Sequence, residues 1–176
     1  MTRMALAGAR IFAGDIWHDE HALVMDNGLI EALVSVDAVS DNLPMQQLDG
    51  GVLLPGFVDT QVNGGGGVLF NEMPTVEGIR AIGAAHRRFG TTGFLPTLIS
   101  DTREKMAQAV EAVRDGLAKG VPGLLGIHLE GPFLSEARCG AHEPTLLRDP
   151  VSDDVAKVLS DVVRMVTIAP ELEHGL

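Results

Sequence analysis

Between Met4 and about Val39, apolar and polar residues alternate around turn signals, the clearest being Asp26-Asn27-Gly28. That period of two predicts short antiparallel strands, one pair closed by a tight hairpin. Asn42-Leu43-Pro44 breaks the alternation, and after Asp49-Gly50-Gly51 the pattern changes in kind. Val52 to Asp59 is nearly continuous apolar sequence, as a strand buried on both faces would be, and it runs on into Gly64-Gly65-Gly66-Gly67. Helical spacing follows from about Thr75 to Phe89 and stops at Gly90. Thr92 to Leu98 reads as a strand. Asp101 with Glu104 fits a capping box for a helix ending near Lys119 and Gly120. Leu124 to Leu129 is a third apolar strand, Ser152 to about Ser160 a further helix, and Val162 to Ile168 a fourth strand.

After the β-rich start the order is therefore β, α, β, α, β, loop, α, β, which predicts βαβ units and a parallel sheet. Two domains are expected: residues 1–51 as a small β-rich segment and residues 52–176 as an α/β unit. A parallel sheet can lie open or close into a barrel, and periodicity does not separate the two. The polar residues help. Gln61 with Asn63, and His128 with Glu130, each stand two apart at the carboxyl end of a strand. Each pair projects from one face, at the end where α/β enzymes place their chemistry, and inward polar side chains there favour a barrel mouth.

Composition narrows the functional classes. The 176 residues are 45% hydrophobic and 21% charged, as in a globular domain. Thirteen basic residues against 24 acidic ones leave a net charge of −11, which supplies no broad cationic surface for nucleic acid or an anionic membrane. Arg3 and Arg10 interrupt the only apolar stretch at the start, and no run approaches the ~18 apolar residues of a membrane span, so a cytoplasmic location is the expectation. Cys139 is the single cysteine, so a metal would have to be held by His, Asp or Glu.

Glu130, in Gly126-Ile127-His128-Leu129-Glu130-Gly131-Pro132-Phe133, ends an apolar strand just before a Gly-Pro turn. An unpaired buried carboxylate is costly, so it needs either a cation or several hydrogen-bond donors. His128 reads more simply as a satisfied core residue than as a ligand. The glycine run fits neither a dinucleotide fingerprint, because Leu69 stands where a glycine is required, nor a phosphate-loop motif. It reads as a flexible turn, with direct substrate contact as the alternative. Cys139 to Pro144 lies in a long loop, a common place for function, although a loop histidine such as His142 is also ordinary. Glu171 is either an acid at the same mouth or a helix-start charge, and His18, His21, His86 and His174 read as surface or second-layer residues. No nucleophile elbow and no His-Glu-x-x-His helix is present.

Taken together, Leu54-Pro55-Gly56-Phe57-Val58-Asp59 with Gln61-x-Asn63-Gly64, the Gly126 to Phe133 segment, Gly140-Ala141-His142 and Ala169-Pro170-Glu171 resemble the N-acetylglucosamine-6-phosphate deacetylase family of the amidohydrolase superfamily. The resemblance implies a partial (β/α)8 TIM-type barrel of about four β/α units, preceded by part of a small β-sandwich. It implies that Glu130 is a metal ligand, that Ala141 and His142 contact substrate, and that Gln61 and Asn63 replace the His-x-His pair usual in the superfamily and face the substrate too. Amides bind transition metals more weakly than imidazoles, so one divalent ion, zinc or ferrous iron, is implied in place of two. The implied reaction is metal-dependent hydrolysis of the acetamide of N-acetylglucosamine 6-phosphate, an amino-sugar phosphate, to glucosamine 6-phosphate and acetate, by a homodimer in its full-length form.

In this family the general-base aspartate, two histidine ligands and a phosphate-binding arginine come from later strands. A full barrel takes about 250 residues, and about 125 follow position 51. The chain is therefore expected to be an amino-terminal half without catalytic residues of its own, inactive alone, with exposed sheet edges. The competing readings are a non-catalytic sugar-phosphate-binding or barrel-completing fragment, and a different amidohydrolase such as a cyclic amidase or another N-acyl deacetylase.

Overall fold

The alternating start of the chain forms two small sheets. Their strands are β1 (Met4–Ala7), β2 (Arg10–Ala13), β3 (Ile16–His18), β4 (His21–Asp26), β5 (Leu29–Ser35), β6 (Met45–Gln47) and β7 (Val52–Leu53). One sheet has the order β5-β4-β1-β6 and the other β3-β2-β7. Asn27 and Gly28 join β4 to β5 with φ of 49° and 83°, the left-handed pair that a two-residue hairpin turn demands. The pairing is not wholly antiparallel as expected, because β6 runs parallel to β1 and β7 parallel to β2. The inward residues Ala5, Ala7, Ala22 and Val24 are small and form a core of their own.

This computed structural model describes residues 3–150 and 161–173, so the helix expected over 152–160 lies outside the described residues, as does His174. The chain divides into two compact units, Met1–Pro55 and Gly56–Leu176. The apolar run from Val52 to Asp59 is accordingly not one strand. Pro55 fixes its own φ and lacks an N–H, which ends β7, and the second unit starts afresh at β8 (Phe57–Val62). Nor is the new strand buried on both faces: Phe57 and Val58 are 59% and 62% exposed, since β8 is an outer strand of its sheet.

The second unit continues with β9 (Gly64–Gly65), β10 (Val68–Leu69), α1 (Val76–Arg87), β11 (Thr91–Ile99), α2 (Arg103–Ala118), β12 (Ile127–Glu130) and β13 (Val163–Thr167). It is mixed α/β, and its main sheet has the order β13-β12-β11-β8 with every pairing parallel. Helices α1 and α2 are the crossovers on either side of β11. Ile79, Ile82, Met106, Ala109 and Val113 from the helices pack with Val62, Phe94, Leu98, Ile127 and Leu129 from the sheet in one core. A parallel sheet with its strands joined in this sense delivers every carboxyl end to the same edge.

Two local readings need correction. The cap of α2 is Thr102, not Asp101: the Thr102 hydroxyl accepts from Lys105 N–H, while Asp101 accepts from Asn71 Nδ2 at 2.9 Å. The glycine run is an ordered hairpin instead of a flexible turn. Gly66 and Gly67, with φ of 63° and 82°, close β9 onto β10, and His86 of α1 binds the Gly64 carbonyl at 2.9 Å. A Cβ on Gly64 would lie 2.4 Å from the Val68 carbonyl oxygen, so the close backbone approach of the hairpin requires glycine there.

Replacing Leu98, which is 1% exposed in this core, with alanine is expected to destabilise the chain by about 2–5 kcal/mol. Thr102→Ala should cost only about 1 kcal/mol, the worth of one helix cap. Urea unfolding followed by circular dichroism ranks the two, and an equal or reversed ranking would contradict this description of the core.

Candidate functional site

Glu130 is the last residue of β12 and Gln61 the next to last of β8, strands that are not neighbours in the sheet. Their side chains nonetheless meet, with Gln61 Nε2 donating to Glu130 Oε2 at 3.0 Å. Polar groups on this face of the sheet lie in two layers. The deeper layer is centred on His128, one strand pitch below Glu130 on the same face and 1% exposed. His128 Nδ1 lies 3.0 Å from the Thr60 carbonyl, and Nε2 lies 2.8 Å from Thr167 Oγ1. A carbonyl only accepts, so Nδ1 carries the proton and Nε2 accepts from the Thr167 hydroxyl. Burial pushes the His128 pKa below its ordinary value, against the hydrogen bond to Thr60 and the charge of Glu130. With both ring nitrogens engaged, His128 is a satisfied core residue.

The upper layer opens on a cavity of about 600 Å³. Gln61, Asn63, Glu130, Ala141 and His142 all line it, so the five residues singled out from the sequence are gathered in one place. The Glu130 side chain is 21% exposed and, among the described residues, accepts a hydrogen bond only from Gln61; its Oε1 faces His142 Nε2 at 3.7 Å. His142 is buried although it belongs to the loop after β12, because Ser100 at the end of β11 anchors the ring. The Ser100 N–H donates to Nδ1 at 3.2 Å, and Ser100 Oγ lies 2.8 Å from the same nitrogen. A donated backbone N–H requires a bare Nδ1, which leaves the proton of the neutral ring on Nε2, aimed at Glu130. Glu171 does not join this group; it sits exposed in a turn beyond β13 and does not line the cavity.

Ser100, Asn71, Thr167 and Arg138 also belong to the site and were not singled out from the sequence. Asn71 accepts from Ile99 N–H at 3.1 Å and donates to Asp101, fixing the carboxyl end of β11. Its only signal was a polar residue after the hairpin. Ser100 could have been found as a polar residue at a strand end, had Asp101 beside it not suggested a helix cap.

A divalent cation held by protein side chains takes at least three ligands in a catalytic centre. Among the described residues no group of three His, Cys, Asp or Glu side chains is placed to hold one. Glu130 faces the cavity with Oε2 held by Gln61 and Oε1 near His142, and His128 is engaged by the Thr60 carbonyl and the Thr167 hydroxyl. The residues present supply part of a metal site and do not fit a complete one. What they do form is a polar, partly desolvated pocket in which an amide ligand would meet a carboxylate, a neutral imidazole N–H and two side-chain amides.

Comparison with known proteins sharpens this picture. Residues 4–53 match the family model described as the NagA composite domain. The chain is 41% identical over 93% of its length to an N-acetylgalactosamine-6-phosphate deacetylase of Shewanella sp. (strain ANA-3), covering 43% of that protein. It is 34% identical over 86% of its length to the N-acetylglucosamine-6-phosphate deacetylase of Haemophilus influenzae, covering 40% of it. The chain thus spans about two fifths of the length of these curated relatives. Among solved structures, the N-acetylglucosamine-6-phosphate deacetylase of Pasteurella multocida superposes with a TM-score of 0.90 at 33% identity, over 97% of this chain and 45% of that one. Among the described residues no helix is long and apolar enough to cross a membrane.

The two histidines should differ in tautomer, Nδ1–H for His128 and Nε2–H for His142. Long-range proton–nitrogen correlation spectra at neutral pH read this directly. The same tautomer at both rings would refute the hydrogen-bond assignment, and Ser100→Ala should broaden or shift the His142 signals while leaving His128 unmoved.

Proposed function

We propose, for a chain that resembles N-acetylglucosamine-6-phosphate deacetylase in the amino-terminal part of that family's length, that it supplies one wall of the active site of a metal-dependent amidohydrolase. The reaction is hydrolysis of the acetamide of N-acetylglucosamine 6-phosphate, giving glucosamine 6-phosphate and acetate. The observation that carries this reading is the convergence of Gln61, Asn63, Glu130, Ala141 and His142 on one cavity at the carboxyl edge of a parallel sheet. Residues 56–176 are then about the first four units of a (β/α)8 barrel. The all-parallel order β13-β12-β11-β8 with helical crossovers supports this. Residues 1–55 form part of a small β-sandwich. The whole protein is a cytoplasmic homodimer.

In this reading Glu130 is a ligand to one divalent cation, zinc or ferrous iron, whose remaining ligands come from later strands. When bound, such an ion would supply Lewis acidity towards the amide and a bound water. The chain's own residues bind and orient. Gln61 holds the Glu130 carboxylate through Oε2, which leaves Oε1 directed into the cavity. His142, pinned through Nδ1 by Ser100, lines the cavity with Nε2 between Glu130 and a bound substrate. Asn63, Gln61 and the backbone at Ala141 give further polar contacts, while Leu134 adds an apolar part of the wall. The proton transfers belong to groups outside this chain, and the 176 residues alone are inactive.

A second substrate reading has its own support, because the galactosamine-type relative shares 41% identity with the chain, against 34% for the glucosamine-type one. The two substrates differ only in the orientation of one hydroxyl. Acetate release by the full-length protein from both N-acetylhexosamine 6-phosphates decides between them. In that protein Glu130→Gln should lower kcat by at least about 100-fold and reduce bound metal, as loss of a charged ligand does. Full activity and full metal content in that variant would end the metal-ligand assignment.

A further inference from the structure

His142 belongs to a loop, yet its ring is held against the sheet. The backbone bonds around it are local, from His142 N–H to the Cys139 carbonyl at 3.1 Å and from Leu146 N–H to the Glu143 carbonyl at 3.0 Å. The link to the sheet is made by the ring itself. Ser100, buried just past the end of β11, presents two donors to one nitrogen: its N–H stands 3.2 Å and its hydroxyl 2.8 Å from His142 Nδ1. The hydroxyl proton has a second acceptor, the Glu130 carbonyl at 3.5 Å, but the bare ring nitrogen is much the closer. Room for this hydroxyl exists because residue 131 is glycine, where a Cβ would collide with Ser100 Oγ. The outer torsion of a histidine is broad, so the rotamer alone does not aim the ring, and two donors on Nδ1 do. Nε2 is thereby directed to a point 3.7 Å from Glu130 Oε1. Ser100 does not itself line the cavity, whereas His142 does, so any influence of the serine on a ligand passes through the ring.

We propose that Ser100 is a positioning residue for the reaction: its hydroxyl, acting through Nδ1 of His142, aims Nε2 into the cavity beside Glu130. The inference rests on the function proposed above and deepens it, adding a residue that touches neither the cavity nor the carboxylate side chain. Removing the hydroxyl leaves the ring on the longer bond from the Ser100 N–H alone, free to swing out of line. A misaimed contact in a closed site lowers turnover without dismantling the site, because the Gln61 bond to Glu130 is made independently.

The test follows acetate release by the full-length protein from whichever N-acetylhexosamine 6-phosphate the wild type hydrolyses. Ser100→Ala, Ser100→Thr, His142→Ala and the double variant Ser100→Ala with His142→Ala are compared, and bound metal is measured in each. Ser100→Ala should lower kcat/KM by about tenfold, the weight of one hydrogen bond, with metal content unchanged. Ser100→Thr keeps the hydroxyl and should stay within about threefold of wild type. In the His142→Ala background, Ser100→Ala should cost less than about twofold, since the ring through which it acts is gone. An undiminished kcat/KM in Ser100→Ala, a threonine variant as impaired as the alanine one, an equal loss in both backgrounds, or loss of metal overturns the proposal. If wild type hydrolyses neither sugar, the functional reading fails separately. Ser100 is then judged by proton–nitrogen correlation spectra of the His142 ring: a single Nε2–H tautomer in wild type, exchange between tautomers in Ser100→Ala and the wild-type pattern again in Ser100→Thr support it, and one pattern in all three overturns it.

Discussion

A carboxylate at the end of an apolar strand must be supplied with donors or a cation, and the second unit of this chain is arranged around that requirement at Glu130. One oxygen is held by the amide of Gln61, from a strand two places away in the sheet, and the other faces the imidazole of His142, from a loop. Gln61 reaches it because its long side chain spans the intervening strand β11, and His142 because the loop after β12 folds back onto Ser100.

The layer beneath Glu130 satisfies its own polar groups. Thr60, Thr97, His128 and Thr167 come from all four strands of the main sheet and satisfy one another, with Thr97 Oγ1 also accepting from Val62 N–H at 2.9 Å. A layer of hydrogen-bonded threonines around a neutral histidine resists rearrangement, because breaking any one bond strands a buried polar group. The upper layer is left with its charge and its spare lone pair directed at the cavity. Rigidity below and unsatisfied polarity above is the condition under which a site can bind a ligand without first reorganising.

Loops complete the arrangement in a way that strands cannot. The hairpin at Gly64 to Leu69 carries Asn63 at its base and is held by His86 from the helix behind it. The loop after β12 brings Arg138, Ala141 and His142 over the same cavity and is fixed through Ser100. Each loop is thus secured by hydrogen bonds to a rigid element, and those partners lie outside the loop's own sequence.

Periodicity in the sequence determined the β-rich start, the two helices and the strands of the parallel sheet, because burial on one face or both leaves a spacing that local residues must obey. Strand-end position likewise marked Gln61, Asn63 and Glu130, since a polar residue closing an apolar run has few other places to point. Tertiary structure alone decided that Val52 and Phe57 belong to different units, that Thr102 and not Asp101 caps its helix, and that Ser100 fixes the tautomer of His142 across 42 positions of sequence. Those outcomes depend on contacts between residues far apart in the chain, for which no local spacing exists to be read.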